Sequence, residues 1–116
     1  MAIIIDDNEN CCLLLKEYLE SIIGIDEIIT DTDSGFLSEL DNELFPAILF
    51  INFRIAERNG FKSLNFFKNK YPDTPVVALT AENIPERLEK IRKNNFDHIL
   101  IKPIDFSKLE NILSNI

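Results

Sequence analysis

Four short apolar runs in this chain each stop at side chains able to do chemistry. Ala2 to Ile5 stops at Asp6 and Asp7, Ile48 to Ile51 at Asn52, Val76 to Leu79 at Thr80, and the run ending at Ile101 at Lys102. Brought together, these would supply two carboxylates, an amide, a hydroxyl and an ammonium. Carboxylate oxygens suit a hard cation such as Mg²⁺, which keeps several waters and is held by one or two carboxylates. Hydroxyl and ammonium donors suit a phosphoryl oxygen. Alone, each residue has an ordinary reading: adjacent acids cap a turn, and a Thr or Lys ends a surface strand. Only placement at one edge of a sheet makes them a site.

The elements that must position them follow from hydrophobic spacing. Unbroken apolar runs bounded by turn residues fit strands buried on both faces. Asn8 to about Ile23 has Cys11, Leu15, Tyr18, Leu19 and Ile22 at helical spacing, with Asn8 as cap and Gly24 as stop. Ile25 to Thr30 reads as a second strand near an edge, and Phe36 to Leu44 as a short helix with Phe36, Leu37, Leu40 and Leu44 inward. Phe53 to Asn59 reads as a loop, with Gly60 opening a third helix through Phe61, Leu64 and Phe67. Ile84, Leu88 and Ile91 mark a fourth helix, with Pro85 in its first turn. Asp97 to Ile101 is the fifth strand, and Phe106, Leu109, Leu113 and Ile116 stripe the last helix. Strand and helix thus alternate five times. Right-handed crossovers then predict an α/β fold, a doubly wound five-stranded parallel sheet of flavodoxin-like order 2-1-3-4-5. In such a sheet ligands gather beyond the carboxyl ends of the strands, where the polar residues lie.

Composition narrows the function. At 116 residues the expectation is one domain over 1–116, with no linker and no output domain. Twelve Lys and Arg against 20 Asp and Glu leave a net charge of −8, which disfavours nucleic acid and anionic membrane as partners. The apolar runs fall short of the ~20 residues that span a bilayer. The start, MAIIIDDNEN, lacks the basic region and apolar stretch of a signal peptide, so a cytoplasmic location is expected. Cys11 and Cys12 are adjacent and read as reduced thiols on a helix. His98 is the only histidine and has no second ligand at zinc spacing.

The chain resembles the receiver domain of bacterial two-component response regulators. The likeness rests on IIIDDNE near the start, PAILFINFRIAERNG in the middle, YPDTPVVALTA before the fourth helix and ILIKPI near the end. It implies the same five-stranded fold and, in typical members, transfer of a phosphoryl group from a histidine kinase to an Asp with Mg²⁺. By this resemblance Asp6 and Asp7 match the acidic metal pair and Thr80 and Lys102 contact the phosphoryl group, and the bond matching Lys102-Pro103 is often cis in the family. A histidine kinase or other signalling protein is the implied partner, docking on the face of helix 4, strand 5 and helix 5, with the domain a monomer or weak dimer.

Three positions depart from the family pattern. Asn52 stands at the phosphoacceptor position, Ile99 where a switch aromatic is usual, and Arg54-Ile55-Ala56 follows where Met-Pro is usual. An acyl phosphate forms by attack of a carboxylate oxygen, and the Asn52 amide is no such nucleophile. The metal set shrinks to Asp6, Asp7, Asn52 and the Arg54 backbone carbonyl, so Mg²⁺ is expected to bind weakly. Like charges ~4 Å apart repel by about 4 kcal/mol at an effective dielectric of ~20 before screening, so losing one stabilises the metal-free fold. The expectation is a pseudo-receiver, a stand-alone signalling module acting by protein–protein interaction, and not an enzyme. One alternative is a true phosphoacceptor carrying an engineered or unusual Asn52. A flavodoxin-like cofactor binder or Mg-dependent enzyme is disfavoured because the loop Asp6-Asp7-Asn8-Glu9 would repel a phosphate. A DNA-binding regulator is disfavoured by the acidity.

Overall fold

Ile3, Ile4 and Ile5 lie fully buried in the first strand because the sheet around them is covered on both sides. The computed structural model describes residues 1–22, 25–40 and 44–115, and Phe36 by its backbone only. The strands are β1 (Ala2–Ile5), β2 (Ile28–Asp31), β3 (Ile48–Asn52), β4 (Val76–Thr80) and β5 (His98–Ile101). They form one parallel sheet of order β2-β1-β3-β4-β5, the order predicted. The helices are α1 (Glu9–Glu20), α2 (Phe53–Arg58), α3 (Lys62–Lys70), α4 (Pro85–Arg92) and α5 (Phe106–Ser114), with a 3₁₀ helix at Ser34–Glu39.

The two-residue period of the strands sorts the core into layers. Ala2, Ile4, Phe50, Val77 and Leu79 point to one face, where Cys11, Leu15 and Leu19 of α1 and Leu109 and Ile112 of α5 cover them. Ile3, Ile5, Leu49 and Ile51 point to the other, against Ile55 and Ala56 of α2, Leu64 and Phe67 of α3, and Leu37 and Leu40. A smaller cluster of Phe53, Ala78 and Ile91 seats α4 on that same face, with Leu88 and Ile99 packed against it.

The structure corrects several predicted elements. Phe53 to Asn59 is a helix at its core, since Asn52 caps it directly off β3. Its apolar residues Phe53, Ile55 and Ala56 are consecutive or nearly so, which hides a helical period. Residues 34–39 form a 3₁₀ helix rather than part of an α-helix. Asp33 accepts from the Gly35 N–H at its start, and Leu40 is already extended. Residues 41–43, expected in that helix, lie outside the described residues, as do Gly24 and Ile116. Helix α1 ends at Glu20 with Ser21 as its cap, before the expected Ile23. Gly60 (φ +64°) precedes α3 and does not open it; Phe61 follows, also left-handed, with its ring 5.7 Å from that of Phe53.

Candidate functional site

The register sets the site before any side chain is considered. Ile5 lies beside Ile51, Asn52 beside Leu79, and Thr80 beside Ile101. Asp6, Asn52, Thr80 and Lys102 therefore emerge at one edge of the sheet, around the point where the winding reverses. Asn52, Thr80 and Lys102 border an open cleft of about 310 Å³, lined also by Asp7, Arg54 and Arg58, with Asp6 buried behind it.

Asp6 is fully buried (0% exposed). Its Oδ1 accepts from the Asn8 N–H at 3.0 Å, and its Oδ2 lies 2.6 Å from Lys102 Nζ. Lys102 is itself only 17% exposed along its side chain, so this is a buried ion pair. The Lys102-Pro103 bond is cis. Asp7 faces solvent and pairs with Arg58, NH2 to Oδ2 at 3.3 Å.

Asn52 is used at both ends of its amide. Oδ1 accepts from the N–H groups of Arg54 (2.9 Å) and Ile55 (3.2 Å), satisfying two of the free donors that open α2. Nδ2 makes a long contact of 3.5 Å to Asp6 Oδ1. Flipping the amide would oppose like to like at both ends, so these partners set its orientation. Thr80 is buried, and its Oγ1 accepts from the Glu82 N–H at 3.0 Å. Ile99 sits half-buried in β5 against the cluster that seats α4.

Beyond the cleft an ionic clasp joins α2 to α4. Arg54 donates to Glu82 through Nε at 3.1 Å and NH2 at 3.0 Å. Arg87 pairs with Glu82 and, at 3.0 Å, with Glu57, which Lys90 also reaches. The Arg87 guanidinium lies 5.3 Å from the centre of the Phe53 ring. Arg87 first and Arg54 after it hold the Glu82 carboxyl below its ordinary range, and Arg87 and then Lys90 do the same for Glu57. Sequence reasoning missed Arg58, Glu57, Glu82, Arg87 and Lys90. The available signal was the charge on one short segment, Arg54, Glu57 and Arg58, at the three- and four-residue spacing of a helix face.

The cysteines stand behind the site. Burial, and after it the negative charge of Asp6, pushes the Cys11 thiol up from 9.0 to about 12. Cys12 is raised for the same two reasons, and its Sγ donates to the Asp6 carbonyl at 3.4 Å. His98 opens β5 at the opposite end of the sheet, bordering a groove with Asp73, Asp97 and Asn115.

As arranged, the donors do not fit a hard divalent cation. Such an ion needs convergent oxygens, whereas Asn52 turns its amide oxygen to α2 and its NH₂ to Asp6. Both Asp6 oxygens are engaged, and Asp7 holds Arg58. Among the described residues no three Asp, Glu, His or Cys side chains converge on a metal position. None of the described helices is long and apolar enough to cross a membrane.

Comparison with known proteins agrees with the architecture. The transcriptional regulatory protein ZraR of Klebsiella oxytoca is 28% identical over 113 residues, covering 97% of this chain and 25% of ZraR. The chain thus spans about a quarter of the length of that relative. The receiver domain of the Pseudomonas aeruginosa sensor histidine kinase PA1611, whose crystal structure has magnesium in its active-site cleft, superposes with a TM-score of 0.79 at 16% identity. The match covers 98% of this chain and 93% of that one. The N-terminal receiver domain of a Bacteroides fragilis response regulator gives 0.77 at 26% identity, covering 98% and 93%. The sequence profile of the response regulator receiver domain matches residues 2–114, the whole sheet and all its helices. That match takes in the whole five-stranded parallel sheet of order β2-β1-β3-β4-β5, and the chain belongs to the response regulator receiver domain family.

Proposed function

We propose that this receiver domain is a pseudo-receiver, a signalling module that works by shape and protein–protein contact without aspartyl phosphorylation. Receiver domains are signalling modules of two-component systems. The finer reading rests on one observation: the residue at the acceptor position, Asn52, has no carboxylate, and its amide oxygen is committed to capping α2. A capped, neutral oxygen is not a nucleophile for phosphorus. Two further features support a single fixed state. Ile99 is packed against the cluster that seats α4, and an aliphatic side chain there offers no aromatic to swing between core and surface. The Arg54–Glu82–Arg87–Glu57 clasp ties the segment after Thr80, and α4 with it, to α2.

The partner is a histidine kinase or another cytoplasmic signalling protein, held by the face of α4, β5 and α5. The domain acts as a monomer or weak dimer. The test is incubation with acetyl phosphate and MgCl₂, followed by intact-mass measurement beside an Asn52→Asp variant. The wild type should gain no mass. An addition of about 80 Da, one phosphoryl group, on wild-type protein overturns the proposal.

A further inference from the structure

In receiver domains generally, the acidic pair answers to a divalent cation; here it is already answered by the protein. We propose that Lys102 and Arg58 take the place of that cation, so that this domain reaches its working shape independently of Mg²⁺. The inference deepens the reading above and rests on it only for the identity of the pocket. A domain could escape phosphorylation and still bind Mg²⁺, so the two claims fail separately.

Charge balance comes first. Asp6 and Asp7 carry two negative charges, and Lys102 Nζ and the Arg58 guanidinium stand 2.6 Å and 3.3 Å from them. A divalent ion placed among these four groups would meet two cations and no uncompensated anion. The magnitudes are unequal. The Arg58–Asp7 pair is exposed (64% and 51%), in the range where such pairs contribute little by themselves. The Lys102–Asp6 pair is buried, and water screens it far less.

Donor geometry is the second, independent ground. The neutral side-chain oxygens of the cleft are already taken: two backbone N–H groups of α2 hold Asn52 Oδ1, the Cys11 N–H holds Asn8 Oδ1, and the Glu82 N–H donates to Thr80 Oγ1. Freeing Asn52 Oδ1 for a metal would strip the cap from α2 and turn the amide NH₂ toward those same donors. A hard ion that dehydrates reluctantly gains too little from one carboxylate oxygen and a carbonyl to offset this.

The experiment is a titration of ¹⁵N-labelled protein with MnCl₂, a paramagnetic stand-in for Mg²⁺, alongside thermal melts in MgCl₂ at matched ionic strength. Wild-type protein should show no broadening centred on the amides of Asp7, Asn52 and Arg54. Its melting temperature should move by less than about 1 °C on adding Mg²⁺. Diffuse broadening along the acidic surface is the background expected of a chain with net charge −8. An Asn52→Asp/Arg58→Ala double variant removes one of the two cations and adds a third carboxylate. It should gain localised broadening at those amides. Should that variant fail to fold, Arg58→Gln alone, which keeps the α2 cap, should show weak localised broadening at the same amides, reflecting the few-fold gain in Mn²⁺ affinity that loss of an exposed charge allows. Localised broadening in the wild type, or its absence in every folded variant, overturns the proposal.

Discussion

At the scale of single residues, burial decides which charges matter. Asp6 has no exposed surface, and Lys102 is its only ion-pair partner among the described residues. Removing one member of a buried pair strands the other, a cost of about 3 kcal/mol. Lys102→Met keeps most of the side-chain volume and removes only the charge. It should therefore destabilise the fold by about 3 kcal/mol in urea denaturation, eased somewhat by the Asn8 N–H and the long Asn52 contact that remain on Asp6. Arg58→Ala breaks a pair of similar drawing but on the surface, and should cost under about 1 kcal/mol. If the two variants prove equally damaging, the Lys102–Asp6 pair is not the buried interaction described. Asp6, Asp7, Asn52, Thr80 and Lys102 were all legible as a set in the sequence, because each ends a run whose burial announces a strand. Their partners were not. That Asn52 caps a helix, and that Lys102 turns to Asp6, depends on which atoms meet, and spacing along the chain carries no such information.

At the scale of elements, the clasp between α2 and α4 joins two helices that share few apolar contacts. Its groups come from residues 54, 57, 82, 87 and 90, far apart in sequence, and the short α2 that presents two of them read as a loop. Two central strands could be read because β3 and β4 are apolar on both faces. Helix α2 could not, because six residues capped by the end of a strand show no repeat. Helix α4 buries only Ile91 fully, so the charges of Arg87 and Lys90 do much of the seating. Arg87→Gln should accordingly raise amide hydrogen exchange in α4 about tenfold while leaving β1 and β3 unchanged. The pH dependence has a definite sign. The Glu57 and Glu82 carboxyls sit below their ordinary value of 4.5 in the folded protein, so their contribution is complete above that value and is lost as pH falls through the lowered ones. The difference in α4 exchange between wild type and Arg87→Gln should be flat above about pH 5 and shrink in more acid solution. A difference that grows on acidification would mean that these carboxylates do not hold Arg87.

At the scale of the whole molecule, the charge is unevenly spent. The chain carries −8 within a radius of gyration of 13.1 Å, close to the Debye length of about 10 Å at 0.1 M salt. Repulsion among its excess acids therefore acts across the entire domain at low ionic strength and only between neighbours at high. Salt also weakens the attractive pairs, so the two effects oppose. The exposed pairs, such as Lys16 with Glu20 and Arg92 with Glu89, are each worth at most about 1 kcal/mol and many are worth nothing. The pairs that matter, Lys102 with Asp6 and the half-buried clasp, lie where mobile ions reach poorly. Relief of repulsion should win. Raising NaCl from about 10 mM to about 0.5 M should lift the melting temperature by a few degrees, most of it below about 0.2 M, where the Debye length shrinks past the size of the domain. MgCl₂ at equal ionic strength should do no more than NaCl, since screening and not site binding is the cause. A melting temperature that falls with NaCl would show that surface ion pairs outweigh the net charge, and would place the stability of this domain in its exposed salt bridges rather than in its two-sided core.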